Sequence, residues 1–143
     1  MTRREELPVT VERFNRSSIG NHHAWLGFTV THVQPGRVEA ALVIRADQLN
    51  PGGGLHGGVT TAFADSLCGY GTHTVLPDGA EGFTTVNLSS QFLGRAGSGE
   101  RLSGIATLTQ GGRRVQTWDV VVSTEKRMVA VVRVTQLLRY RKT

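Results

Sequence analysis

One segment of this chain has helical periodicity, it is long, and strand-like sequence lies on both sides of it. From Gly57 to about Val75, the residues Val59, Phe63, Leu67 and Tyr70 recur at spacings of four, four and three. At about 100° per residue they form one apolar stripe, which has to bury against something. Pro77-Asp78-Gly79 follows, the composition that ends a helix. Before it, Trp25 to Val33 and Arg37 to Arg45 read as two strands around a Gln34-Pro35-Gly36 turn. In the second, Val38, Ala40, Leu42 and Ile44 share one face. After the helix come four more runs, about 83 to 93, 101 to 110, 113 to 124 and 127 to 138, rich in Val, Thr and Leu with period-two alternation. Short turns at 110–113 and 124–127 make those neighbours antiparallel. An α+β fold follows, with one antiparallel β-sheet wrapped around one long central helix.

A chain of 143 residues, 38% hydrophobic and 19% charged, suits a single core. Residues 1–20 read as a polar N-terminal arm or short helix, and residues 21–143 as the domain. The first residues lack the apolar stretch of a secretion signal, and no run approaches the length of a membrane span. The expectation is a cytoplasmic protein with no membrane partner. Cys68 is the sole cysteine, which excludes an intramolecular disulfide and a CxxC motif. The net charge of +5 comes mainly from scattered arginines with no interleaved aromatics, so a nucleic-acid partner is not expected. His22, His23, His32, His56 and His73 lack zinc-like spacing, so neither a metal nor another cofactor is expected.

Chemistry concentrates at the start of the helix. Gly52-Gly53-Gly54-Leu55-His56-Gly57 satisfies GxGxxG in form. A dinucleotide site needs a strand leading into the glycines and a parallel strand after the helix, whereas here an Asn50-Pro51 loop precedes and antiparallel hairpins follow. Gly57 and Gly58 instead fall at the helix N-terminus, where backbone N–H groups lack intrahelical partners and the dipole is positive. Such an end stabilises a developing oxyanion, and the missing Cβ lets a carbonyl approach; the alternative is a loop that needs unusual dihedrals. Asp65 lies within the helix rather than at a cap, on a face with Gly58, Thr61, Gly69 and Thr72. That face is open to a ligand or another chain, or else is a solvated surface with one charge. Eight residues separate Gly57 from Asp65, roughly 12 Å along a helix, too far for one reacting carbon to meet both. A two-fold dimer with antiparallel helices brings Asp65 of one chain toward Gly57 of the other, so an intersubunit site is the working hypothesis.

Asn50-Pro51-Gly52, Leu55-His56-Gly57-Gly58 and Ala64-Asp65 together resemble the signature of hotdog-fold acyl-CoA thioesterases, in the phenylacetate-degradation (PaaI-like) and 4-hydroxybenzoyl-CoA thioesterase branch. The similarity spans most of residues 25 to 138, including Gly27, the Gln34-Pro35-Gly36 turn and Gly111-Gly112-Arg113. It implies a hotdog fold, an acyl-CoA substrate with an aryl or short-to-medium-chain acyl group, and a homodimer or dimer of dimers. By this resemblance Asp65 is the nucleophile or general base and the Gly57 N–H polarises the thioester carbonyl, with Gly58 beside it at the substrate. Asn50 orients substrate or water, His56 supports the loop or the carbonyl, and Thr85 helps position water. Arg95, Arg113 and Arg114, all in turns, are the candidates for the CoA phosphates. Two other readings share the fold: a dehydratase or hydratase pairing His56 with Asp65, and a non-catalytic acyl-CoA binding module.

Overall fold

The computed structural model describes residues 9–143. Of the N-terminal arm or short helix, residues 1–8 lie outside the described residues. Helix α1, Val11–Ser17, starts where the Thr10 side chain accepts from the Arg13 N–H at 3.2 Å. Its Phe14, only 2% exposed, stacks on the Tyr70 ring with centroids 4.3 Å apart. The helix therefore belongs to the same core as the rest of the chain. Helix α2, His22–Leu26, occupies the start of the expected first strand. Asn21 caps it by accepting from the His23 N–H at 3.0 Å, and Gly27 ends it at φ 77°. Gly27 is thus a left-handed C-cap and not a strand residue, so β1 begins only at Thr29. A period-two reading cannot distinguish a single helical turn from the start of a strand.

Strands β1 (Thr29–Gln34) and β2 (Arg37–Val43) form the expected hairpin. A 3-10 turn at Ala46–Gln48 and the glycine loop lead into α3, Gly57–Thr74. Then follow β3 (Ala80–Phe92), β4 (Arg101–Gly111), β5 (Val115–Ser123) and β6 (Met128–Tyr140). One six-stranded sheet results, in the order β1-β2-β4-β5-β6-β3, with every neighbouring pair antiparallel. The chain leaves β2, crosses the sheet as α3, and continues as β3 at the far edge.

Val59, Phe63, Leu67 and Tyr70 are all buried, as the helical stripe requires. So are Val38, Ala40, Leu42 and Ile44 on the inner face of β2 and beyond. Helix and sheet approach closely because each offers a glycine to the other's bulk. A Cβ at Gly71 on α3 would sit 2.6 Å from the ring of Trp118 on β5. A Cβ at Gly104 on β4 would sit 2.7 Å from Leu67 and 2.8 Å from Phe63. Thr72 departs from the open face expected for it: it is fully buried, and its hydroxyl donates to the Cys68 carbonyl at 2.8 Å. No helix among the described residues is long and apolar enough to cross a membrane.

Two substitutions probe this packing by urea denaturation. Gly71→Ala forces a methyl group into Trp118 and is expected to destabilise by about 1–3 kcal/mol. Phe14→Ala removes a core aromatic and is expected to cost about 3–5 kcal/mol, whereas an arm detached from the core would lose almost nothing.

Candidate active site

Asp65 lies in the middle of α3, half-buried, facing β3. Its Oδ1 accepts a hydrogen bond from the Thr85 hydroxyl at 2.8 Å. Thr85 owes its aim to β3: it pairs with Gln136 of β6, and the register slips immediately afterwards, with Asn87 next opposite Thr135. Val86 is the extra residue of this bulge. A bulge bends the strand and redirects its side chains, a device often found beside reacting groups. An aspartate in a helix interior is disfavoured by propensity, so a specific hydroxyl partner gives it a defined place.

Around Asp65 is a cleft of about 350 Å³ lined by His22, His23, Ala62, Ser66, Gly69, Tyr70, His73, Phe83 and Thr85. Its wall is largely aromatic, and burial biases three of its groups, His23, Tyr70 and His73, toward neutrality. Burial lowers the pKa of His23, reinforced by His22 and opposed by Asp65. Burial also lowers His73, with Arg13 adding to the effect. The Tyr70 hydroxyl is pushed up by burial despite its bond to Ser18. It lies 2.7 Å from Ser18 Oγ and 2.9 Å from His23 Nδ1, and it donates to the Phe14 carbonyl at 3.1 Å. Cys68 is buried, its thiol pushed well up first by desolvation and then by Asp65. A thiolate there is strongly disfavoured, so Cys68 is not a nucleophile for this cleft.

The N-terminus of α3 forms a second chemical feature. His56 is its N-cap: the ring Nδ1 accepts from the Gly58 N–H at 2.8 Å. A neutral imidazole that accepts at Nδ1 carries its proton on Nε2, so the outward nitrogen is a donor. The Gly58 N–H is thereby taken, while the Gly57 N–H has no acceptor among the described residues. Gly57 is also closed off on its side-chain side, since a Cβ would meet the Phe92 ring at 3.0 Å. A neighbouring cleft lined by His22, Trp25, Asp47, Gln48, Leu49, His56, Gly58, Val59 and Ala62 joins the first at His22 and Ala62.

Asn50 organises the glycine loop. Its backbone N–H donates to the Gly54 carbonyl at 2.8 Å, and its Oδ1 accepts from the Gly54 N–H at 3.3 Å. Arg95 braces the loop from outside, donating from Nη2 to the Gly52 carbonyl at 2.6 Å and lying against Gly53 and Gly54. Arg113 and Arg114 lie elsewhere, in the β4–β5 turn. Arg113 sits 5.9 Å over the Tyr140 ring, and the Arg114 carbonyl accepts from the Leu138 N–H at 2.8 Å. That turn adjoins the C-terminal end of α3, where Gln116 donates to the Val75 carbonyl at 3.0 Å. Within one chain the structure therefore joins Asp65 to Thr85, and Asn50, His56, Gly57, Gly58 and Arg95 around the helix start. It does not bring Arg113 or Arg114 to either group.

Sequence reasoning missed three contributors. His22 and His23 enter the cleft on α2, a five-residue helix with no periodicity to reveal it. Gln136, fully buried, lies 2.9 Å from Thr85 through its Oε1. A signal for it existed: it interrupts the inward row Ala130, Val132, Val134 and Leu138 on β6 with an amide.

Comparison with known proteins identifies the family and the fold. Residues 52–131, more than half of the chain, match the model of the thioesterase superfamily. The proofreading thioesterase EntH of Cronobacter sakazakii is 28% identical over 118 residues, covering 82% of this chain and 85% of that protein. The 1,4-dihydroxy-2-naphthoyl-CoA hydrolase of Escherichia coli K12 is 25% identical over 121 residues, with the same coverage of 82% and 85%. The phenylacetic acid degradation protein PaaI of Thermus thermophilus superposes with a TM-score of 0.73 at 30% identity, over 80% of this chain and 95% of that one. The six-stranded antiparallel sheet closed around one long helix is the hotdog fold, and the chain belongs to the thioesterase superfamily as a thioester hydrolase.

Proposed function

We propose that this protein hydrolyses an acyl-CoA with an aryl or short-to-medium-chain acyl group in the cytoplasm, with Asp65 as the reacting carboxylate, at a site completed by a second copy of the chain. The observation that carries this reading is the Asp65–Thr85 hydrogen bond in an aromatic-walled cleft. Thr85 occupies Oδ1 and leaves Oδ2 to act. As nucleophile, Oδ2 attacks the thioester carbon, CoA leaves as thiolate, and water cleaves the resulting mixed anhydride. As general base, Oδ2 takes a proton from the water that attacks. In both routes the carbonyl oxygen gains negative charge and needs donors that are already in place. The Gly57 N–H and the His56 Nε2–H are suited to that role. The acyl-CoA hydrolase among the relatives supports a CoA ester as substrate.

The case for a second copy comes from β3. It is a thirteen-residue strand at the edge of the sheet, and it exposes Leu88 (41%) and Phe92 (57%). A long apolar edge is normally covered or paired. Pairing β3 with its two-fold mate continues the sheet and sets the two α3 helices antiparallel, so that Asp65 approaches the partner's Gly57. The same arrangement carries the partner's Arg113 and Arg114 toward Arg95, as a charged rim suited to CoA phosphates. The dimer acts alone or as half of a dimer of dimers.

Thiol release from a panel of aryl and short-to-medium acyl-CoAs tests the activity. Asp65→Asn is expected to reduce turnover at least about a hundredfold with folding and assembly intact. Equal turnover would show that the carboxylate is elsewhere; tight acyl-CoA binding without release by the wild type would identify a binding module, and hydration of an enoyl-CoA without thiol release a hydratase. Leu88→Arg places charges on the β3 edge and is expected to give a folded monomer by analytical ultracentrifugation, with thiol release lost. A stable monomer that retains activity would refute the intersubunit site.

A further inference from the structure

We infer that Gln136 is a positioning residue for this hydrolysis: its buried amide donates from Nε2 to Thr85 Oγ1 and so commits the single Thr85 proton to Asp65. The inference rests on the reading of Asp65 as the reacting carboxylate. Thr85 Oγ1 lies 2.8 Å from Asp65 Oδ1 and 2.9 Å from Gln136 Oε1. Both of those oxygens are acceptors and the hydroxyl has one proton, so it can serve only one of them at a time. Meanwhile Gln136 Nε2, with two N–H groups, is the one buried side-chain nitrogen or oxygen without a partner among the described residues. A half-turn of the amide exchanges two nearly isosteric groups and removes the conflict. Nε2 then donates to Oγ1, and Oγ1 donates to the carboxylate.

The neighbouring buried amide cannot take this role. Gln116, opposite Gln136 on β5, accepts from Trp118 Nε1 at 3.0 Å and donates to the Val75 carbonyl at 3.0 Å. Those two partners fix its orientation and use it structurally. Gln136 is left to face the site, and burying an amide otherwise carries a penalty without return. The resulting relay is directional, since each donor polarises the next, and it ends on the Asp65 carboxyl. It stabilises the carboxylate and keeps Oδ1 occupied while Oδ2 remains available.

The titratable groups around Asp65 are His22 and His23 from α2 and Cys68, Tyr70 and His73 from α3, with Arg13 of α1 acting on His73; β3 lines the cleft with Phe83 and Thr85, which do not titrate there, and β6 reaches Thr85 through the uncharged Gln136. Burial holds His23 and His73 toward the neutral form and Cys68 and Tyr70 toward the protonated form. Titration of the Asp65 carboxyl is therefore resolved by 13C NMR of labelled aspartate, assigned by its loss in Asp65→Asn.

The test is a double-mutant cycle of Gln136→Leu and Thr85→Val, read by kcat, KM and the Asp65 pKa. Gln136→Leu is expected to lower kcat about tenfold, the scale of one hydrogen bond, with KM within about twofold, and to raise the Asp65 pKa. In the Thr85→Val background it is expected to do nothing further to either. A lowered Asp65 pKa would overturn the inference, because it means that Oε1 had been competing for the Thr85 proton. An unchanged kcat, or losses that multiply in the double variant, would overturn it too, since a purely structural glutamine changes the melting temperature alone. Gln136→Met, of similar length, replaces the leucine variant in the cycle if that one fails to fold. Should Asp65→Asn turn over as fast as the wild type, the reading of the site fails, while the signed NMR shift still decides the role of Gln136.

Discussion

The closeness of α3 to the sheet governs the rest of this molecule. Trp118 occupies the space of a missing Cβ at Gly71, and Phe63 and Leu67 occupy that of Gly104. Interiors are packed to crystal density, so one methyl group at either glycine changes the separation or tilt of the helix. The site depends on that separation, because Asp65 belongs to the helix and Thr85 to the sheet, and a 2.8 Å bond joins them. Glycine is a poor residue for the middle of a helix or strand; its presence at both positions indicates that close approach outweighs local propensity.

Three of the polar groups that face the helix are arranged in a row. Thr85, Gln136 and Gln116 lie on adjacent strands at matched register, beneath the second half of α3. Gln116 ties the indole of Trp118 to the end of the helix, and Gln136 turns toward the carboxylate. Chemistry and packing thus share one layer of side chains. In the aromatic cleft above it, burial pushes the His23 and His73 imidazoles toward the neutral form, so the environment of Asp65 is apolar in character although it is lined with nitrogen and oxygen.

Much of this was legible in the sequence because it depends on periodicity. The stripe from Val59 to Tyr70 marks the helix, its buried face and its length, and the alternation after Pro77 marks the antiparallel strands. Asp65 was conspicuous as a charge within a helix, and the glycines before it as an approach to backbone N–H groups. What escaped was set by tertiary contact. The turn of helix at His22–Leu26 is shorter than any period that could reveal it, and only the φ of Gly27 separates it from β1. Thr72 shares the angular position of Asp65 on the helical wheel, yet is buried near the helix end, because a wheel takes no account of how far the neighbouring sheet extends. Gln136 was visible as a break in an apolar row, but its partner lies fifty-one residues away on a strand whose bulge the sequence does not announce.

The placement of β3 has one more consequence. The strand that aims Thr85 is held on one flank by β6 and on the other by no strand among the described residues. A bulged strand secured along a single side is compliant, and its compliance passes directly to the hydroxyl that fixes the carboxylate. How firmly Asp65 is gripped is therefore a property of whatever lies along that open flank, so that assembly sets the stiffness of the site as well as its composition.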